Sequence, residues 1–207
     1  LVCVSNRITL PRKTAAPGGL AVGVLAAMRE KGGLWFGWSG DLNADPAPQP
    51  EVVTRERIDY ATIDLTQTQY DRYYRGFCNT TLWPLFHYLT DRFRYDHEWH
   101  AGYRDVNRWF AERLVPLLRP DDRLWIHDYH LIPLARELRS LGVTPRIGLF
   151  LHIPFPHIEV LRLLLPYEDL IRNLTHYDLV GFQTAADERS FHAGLGGVFP
   201  QGAPPVK

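Results

Sequence analysis

The chain has 207 residues, of which 45% are apolar, and it carries 23 basic and 23 acidic side chains. That apolar content can bury the core of one large domain or two small ones, and the zero net charge removes the usual electrostatic reason to expect a nucleic acid or an anionic membrane surface. No apolar run reaches the ~18 residues of a membrane span, and Cys3 and Cys78 lie in apolar surroundings that suit reduced, buried thiols. We therefore expect a cytoplasmic globular protein that binds neither nucleic acid nor membrane.

Apolar periodicity along the chain predicts alternating strands and helices. In chain order the predicted elements are strand 1–4, helix 20–30, strands 34–38 and 58–63, helices 67–77 and 99–118, strand 124–127, helix 131–140, strand 146–152, helix 169–176, strand 178–182 and a helix from 187 to 192. This alternation predicts an α/β fold, a parallel sheet with helices on both faces. Because ligands of such sheets bind at the carboxyl ends of the strands, the residues that follow each strand are the first candidates for a site.

The end of the first strand suggests an anion site. Gly18 and Gly19 stand at the start of a predicted helix, where backbone N–H groups and the helix dipole favour a phosphate. The spacing is not that of the dinucleotide fingerprint, and a simple turn explains the glycine pair equally well. Arg7, at the tip of the strand, favours the anion.

Polar residues also follow the strands 124–127 and 146–152. His127, Asp128 and His130 are open to three interpretations: metal ligands, a hydrogen-bonded network at the strand end, or a carboxylate that binds sugar hydroxyls. We favour the network over the metal, since metal sites usually need further carboxylates nearby. His152 is held by the prolines that follow it, and a lone histidine in this position is more often structural than catalytic.

Residues 73–88 are unusually aromatic. Phe77 and Phe86 are expected in the core, which is the usual place for an aromatic stripe. Tyrosine and tryptophan beside polar neighbours also build sugar-binding walls, because their faces stack on C–H surfaces while phenol hydroxyls bond to oxygens. The segment is therefore a second candidate for ligand contact.

Six motifs together resemble the trehalose-6-phosphate synthase family, glycosyltransferase family 20, in the family's order and spacing over residues 1 to about 192. They are Ser-Asn-Arg (5–7), Gly-Gly-Leu-Ala-Val-Gly (18–23), Gly-Leu-Trp-Phe-Gly-Trp-Ser-Gly (33–40), Leu-Trp-Pro-Leu-Phe-His-Tyr (82–88), Trp-Ile-His-Asp-Tyr-His (125–130) and Phe-Leu-His-Ile-Pro-Phe-Pro (150–156). The resemblance implies a GT-B glycosyltransferase, in which two Rossmann-like domains face each other across a cleft. The implied reaction is retaining glucosyl transfer from a nucleotide-glucose, UDP-glucose by family default, to glucose 6-phosphate.

The resemblance also implies residue roles on the acceptor side. Arg7 and Tyr74 would hold the phosphate of glucose 6-phosphate, and Trp83 and Asp128 would hold its sugar. Tyr73 is the less favoured phosphate ligand, since the motif places its neighbour there.

On the donor side, Gly18 or Gly19 would lie against the diphosphate and His152 would contact the transferred glucosyl group. Trp38 and Ile153 would be further walls of the cleft. The family needs no metal ion, no cofactor and no enzymic nucleophile, because catalysis rests on positioning and on stabilisation of the departing charge.

The expected organisation is an acceptor-binding domain at 1–193 and a Gly/Pro-rich tail at 194–207 that leads toward a donor-binding domain outside this sequence. Related enzymes that make glucosylglycerol phosphate or cyclitol-coupled products stay open as alternatives. So do a non-catalytic sugar-phosphate sensor, a metal-dependent hydrolase built on the 127–130 segment, and a homo-oligomeric state.

Overall fold

The computed structural model describes residues 1–8 and 19–202, and of residues 19–22 the backbone alone. Within these ranges the centre of the molecule is a seven-stranded sheet in the order β3-β4-β2-β1-β5-β6-β7. Its strands are β1 (Val2–Arg7), β2 (Gly33–Leu42), β3 (Glu51–Arg55), β4 (Ile58–Leu65), β5 (Arg123–His127), β6 (Arg146–Phe150) and β7 (Leu179–Gly181). All neighbouring strands are parallel except β3, which pairs antiparallel with β4.

The helices lie between and after the strands. They are α1 (Gly19–Lys31), α2 (Gln67–Gln69), α3 (Trp83–Phe86), α4 (His97–Leu114), α5 (Leu134–Ser140), α6 (Ile158–Leu161), α7 (Tyr167–Leu174) and α8 (Ala185–Val198), with a π-helix at Tyr70–Leu82 and 3₁₀ turns at Val115–Leu117 and Tyr129–Leu131. Side-chain caps fix several of their starts. Asp96 accepts hydrogen bonds from the first backbone N–H groups of α4, and Thr184 does the same for α8.

Both faces of the sheet are covered, as successive residues of β1 demonstrate. Val2 and Val4 face the larger core, where Phe110 of α4 packs edge-on against Phe36 at 5.7 Å. Cys3 faces the smaller core on the opposite side, where α1 supplies Met28. The predicted fold class, a parallel α/β sheet with helices on both faces, is confirmed.

Several elements differ from the prediction. Strand β3 was not expected, because four of its five residues are exposed and its sequence has no apolar alternation. The short helices α3 and α6 were also missed. Helix α8 runs to Val198 and so overlaps the first residues of the predicted 194–207 tail, of which 203–207 lie outside the described residues.

The segment predicted as helix 67–77 has the largest departure in geometry. After one turn of α-helix the chain continues as a 13-residue π-helix to Leu82, with the N–H of Trp83 still bonded to the carbonyl of Cys78. π-Helical turns are rare and are frequent at functional sites. From this segment Tyr73 bonds to Asn6 of β1 and Tyr74 contacts Trp38 of β2.

No helix in the described ranges is long and apolar enough to cross a membrane. Cys3 and Cys78 are both buried free thiols, as expected.

Candidate active site

The site candidates lie together at the carboxyl-terminal ends of the parallel strands. Arg7 is the last residue of β1, His127 is the last residue of β5, and Asp128 follows it. His152 lies two residues beyond β6. Because β1, β5 and β6 are adjacent and parallel, these ends meet at one edge.

Arg7 lies on the ring of Trp38, with its guanidinium carbon 5.7 Å from the ring centroid. Its other neighbour is Gly40, which has φ +99°, and a Cβ built there would stand 2.5 Å from the Arg7 guanidinium nitrogens. The strand therefore needs glycine at this point, both for its backbone conformation and for the room that the guanidinium occupies. Among the described residues no carboxylate pairs with Arg7, so its charge is available to an anion.

Tyr74 reaches the same ring from the π-helix. Its ring centroid lies 6.0 Å from that of Trp38, and its opposite neighbour is His130, nearly parallel at 15° and 5.8 Å away. Tyr73 points the other way: it is fully buried, and its hydroxyl donates to Asn6 Oδ1 at 2.6 Å. That bond ties the π-helix to the tip of β1 and so brings Tyr74 to Arg7's side of the molecule.

Trp38 itself is only 4% exposed. Its indole N–H donates to the carbonyl of Asp41 at 2.7 Å, which anchors the ring inside its own strand end. Trp38 therefore lies beneath the side chains of Arg7 and Tyr74, which contact its ring. It has no exposed face of its own in this structure.

Asp128 is held in an unusual conformation for a non-glycine residue, with φ +76° and ψ 167°. Its Oδ1 accepts hydrogen bonds from the N–H groups of Tyr129 at 3.0 Å and His152 at 3.2 Å, while its own N–H donates to the carbonyl of Phe150. Burial raises the pKa of its carboxyl group, and the two N–H donors oppose that rise. Oδ2 accepts nothing from the described residues. Such strain is common where a side chain must be aimed at a ligand.

Trp83 offers the exposed aromatic face of the site, with 38% of its surface accessible. The ring of His87 stacks on it at 4.2 Å, and His87 Nδ1 lies 2.7 Å from the Trp83 carbonyl oxygen. The charge of His87 is a minor influence that opposes the rise in the pKa of the Asp128 carboxyl group. His87 was missed in the sequence, although it stands inside the 82–88 motif.

His152 belongs to the network at the strand ends. Its Nε2 lies 3.0 Å from Nδ1 of His127, and the Nε2 of His127 lies 3.5 Å from the sulfur of Cys3. His127 is 1% exposed. Burial, with a smaller contribution from the charge of His152, lowers its pKa to about 3. Within the 127–130 segment, His127 and Asp128 are hydrogen-bonded, whereas His130 Nδ1 is buried without a partner among the described residues. The network expected at this strand end therefore forms only in part, and it extends to Cys3 and His152 instead.

The remaining site candidates are less well defined. Gly18 lies outside the described residues, while Gly19 is the first residue of α1. Ile153 is half-buried and packs against the larger core. Within the described ranges no group of three or more histidine, cysteine or acidic side chains is arranged to hold a metal ion.

At the carboxyl-terminal ends of the parallel strands, the described residues bring together a guanidinium, aromatic rings and a carboxylate. Such a set at this place in an α/β sheet is typical of a protein that binds a small polar anion. Comparison with known families makes the assignment specific. The chain belongs to glycosyltransferase family 20, whose model matches residues 6–196.

Curated relatives of this chain include several trehalose-6-phosphate synthases. The trehalose-6-phosphate synthase of Klebsiella pneumoniae is 51% identical over 92% of this chain and 40% of the relative, and that of Sinorhizobium fredii is 49% identical over 94% and 43%. The chain thus spans about two fifths of the length of these relatives.

Solved structures agree with the sequence comparison. The UDP-forming α,α-trehalose-phosphate synthase of Burkholderia xenovorans in complex with glucose-6-phosphate has a TM-score of 0.88 at 50% identity, and covers 95% of this chain and 43% of that one. The Escherichia coli protein bound with UDP-2-fluoro glucose has a TM-score of 0.86 at 44% identity, over 96% and 43%. The resemblance seen in the six motifs is confirmed.

Proposed function

We propose that this chain is the acceptor-binding part of a retaining glucosyltransferase that forms trehalose 6-phosphate from UDP-glucose and glucose 6-phosphate. The observation that carries the proposal is the meeting of Arg7 and Tyr74 on the ring of Trp38, at the same sheet edge as Asp128. A cation, a phenol and a carboxylate on one edge are the groups that a sugar phosphate requires.

The phosphate is assigned to Arg7 and Tyr74. A guanidinium binds phosphate with two parallel N–H donors, and a phenol hydroxyl adds a third. Arg7 is exposed, and Trp38 and Gly40 fix its position from two sides. The bound relative from Burkholderia xenovorans supports the substrate, since its ligand is glucose-6-phosphate.

The acceptor sugar is assigned to Trp83 and Asp128. The exposed indole provides a flat apolar face for the C–H surface of a pyranose. Asp128 uses Oδ1 to hold the loop, through the N–H groups of Tyr129 and His152, which leaves Oδ2 for sugar hydroxyls. In this arrangement the carboxylate orients the hydroxyl that attacks.

The donor is assigned to the N-terminus of α1, at Gly19, and to His152. A helix N-terminus supplies about half a positive charge, whereas the departing nucleotide carries roughly two negative charges. The complete enzyme, meaning this chain together with a donor-binding part of the GT-B type, would supply further cations. UDP as the leaving nucleotide is supported by the relatives, which are described as UDP-forming or carry a UDP-glucose analogue.

In the proposed reaction an acceptor hydroxyl oxygen forms a bond to the anomeric carbon of glucose. The bond from that carbon to the diphosphate breaks on the same face, and the hydroxyl proton passes to the leaving diphosphate. No enzymic nucleophile, metal ion or cofactor enters this scheme. The described residues contribute orientation and an electrostatic environment.

A binding measurement on the 207-residue chain and a transfer assay that compares it with the complete enzyme test the proposal. Glucose 6-phosphate should bind and shift the amide resonances of Arg7, Tyr74 and Asp128, whereas glucose alone should bind far more weakly. Transfer from UDP-glucose should be undetectable with this chain and restored in the complete enzyme. Binding of glucose and glucose 6-phosphate with equal affinity would refute the phosphate site, and turnover by the isolated chain would refute the division of labour.

A further inference from the structure

We propose that His127 is a positioning residue: it forms the middle of a hydrogen-bond chain from Cys3 to His152 and fixes the ring tautomer in which His152 carries its proton on Nδ1. The role that this gives to His152, donation of a hydrogen bond to the transferred sugar, rests on the function proposed above. The hydrogen-bond chain itself rests on geometry alone.

Register in the sheet builds the chain. Cys3 of β1 pairs with Trp125 of β5, so His127, two residues further along β5, projects from the same face as Cys3. The two separations are 3.5 Å from Cys3 Sγ to His127 Nε2, and 3.0 Å from His127 Nδ1 to His152 Nε2. Trp125 lies beside the His127 ring at 4.4 Å and shields it.

The direction of the chain follows from the chemistry of its first link. An unprotonated imidazole nitrogen is a good acceptor, whereas a thiol sulfur accepts weakly and has a proton to donate. The thiol of Cys3 therefore donates to Nε2 of His127. The proton of the neutral His127 ring must then lie on Nδ1, which donates to Nε2 of His152.

All three members are neutral near pH 7, which this direction requires. Burial raises the pKa of the Cys3 thiol to about 12 and lowers the pKa of His127 to about 3. Burial also lowers the pKa of His152, against the opposing charge of Asp128. A neutral His152 that accepts at Nε2 carries its one ring proton on Nδ1.

The rest of His152 is also fixed. Its N–H donates to Asp128 Oδ1 at 3.2 Å, and its carbonyl accepts from Gln183 Nε2 at 2.7 Å. Of its polar atoms, Nδ1 alone has no partner among the described residues. The network thus presents one N–H donor, in a set orientation, at the sheet edge where we place the glucosyl group.

The test uses ring-nitrogen spectra of the 207-residue chain labelled with ¹⁵N-histidine, because protonated and unprotonated nitrogens of neutral imidazole resonate far apart. In the unchanged protein, His152 should have a protonated Nδ1 and an unprotonated Nε2. His127→Leu removes the donor, and His152 should become a mixture of tautomers. His127→Asn is the matched variant, since its amide N–H stands near the position of Nδ1 and should keep the tautomer. Cys3→Ala removes the donor to Nε2 of His127, so the His127 ring should partly populate its second tautomer.

Kinetics of the complete enzyme test the consequence. One neutral hydrogen bond is worth about two- to tenfold in an equilibrium or rate. His127→Leu should lower kcat by that factor and leave the KM for glucose 6-phosphate unchanged, while His127→Asn should restore most of the loss.

The outcomes separate the inference from the function on which it rests. A protonated Nε2 on His152 in the unchanged protein would overturn the proposed direction, even if the leucine variant does not fold. An unaltered His152 tautomer in a folded His127→Leu protein would overturn the positioning role. The expected spectra, together with a complete enzyme that makes no trehalose 6-phosphate, would uphold the hydrogen-bond chain and refute the proposed function.

Discussion

Replacement of Gly40 by alanine should disable the phosphate site, although Gly40 itself is not proposed to bind the ligand. A Cβ at this position would stand 2.5 Å from Nε and Nη2 of Arg7 and 2.7 Å from its Cζ. No real contact is that short, and the guanidinium is the flexible partner, so it must leave its place on Trp38. Loss of a hydrogen bond to a charged group costs about 1.5–3 kcal/mol, or roughly 10- to 150-fold in affinity for glucose 6-phosphate.

The same substitution also strains the backbone, because φ at Gly40 is +99°. A non-glycine residue in this region costs about 1–3 kcal/mol of stability. Gly142 supplies the matched control. Its φ is +82°, and a Cβ added to it would meet nothing within 4 Å. Gly142 precedes β6 and so lies at the amino-terminal ends of the strands, away from the phosphate site. Gly142→Ala should lower the free energy of unfolding by a similar amount and leave ligand affinity unchanged.

The assay is a titration of each folded variant with glucose 6-phosphate, followed by amide resonances, with chemical denaturation measured in parallel. Arg7→Ala should reproduce the loss of affinity without the loss of stability. The double variant should bind no more weakly than Arg7→Ala alone, since both changes remove one interaction. Wild-type affinity in Gly40→Ala, or additive losses in the double variant, would refute the proposed link.

Two further predictions concern the strand-end network. Asp128→Asn keeps a carbonyl oxygen for the two backbone donors, and asparagine tolerates a positive φ, so the fold should persist. The loss of the charge should lower kcat/KM of the complete enzyme about 10- to 150-fold. Activity that is lost to a chelator and regained with zinc or magnesium would instead favour a metal site. Burial lowers the pKa of His127 to about 3, so between pH ~6.5 and 3 the unfolded chain protonates this ring and the folded protein does not. Lowering the pH from 7.5 to 5.5 should therefore reduce the free energy of unfolding by about 1.4 kcal/mol through His127 alone. His127→Asn should remove that share of the pH dependence in denaturation experiments, and an unchanged dependence would contradict it.

The strand ends could be predicted from the sequence because buried parallel strands leave a strong apolar signal. Arg7, Asp128 and His152 were placed at one edge by strand alternation alone, and the structure brings them there. The polar edge strand β3 leaves no such signal.

The aromatic segment marks the second limit. Assignment of a helix to 67–77 assumes 3.6 residues per turn, whereas the π-helix has a wider turn, so the side that each tyrosine faces cannot be derived from apolar spacing. The bond between Tyr73 and Asn6 depends on that geometry.

The two outer strands of the described sheet, β3 and β7, are poorly suited to pairing with another chain. At one end β3 turns antiparallel and presents the exposed, charged Glu51 and Arg55, just after the proline at position 50. At the other end β7 has only three residues. Short, charged or proline-flanked edges are poor templates for strand addition from another chain. The backbone of the two described outer strands therefore offers poor pairing sites to a second copy of the chain.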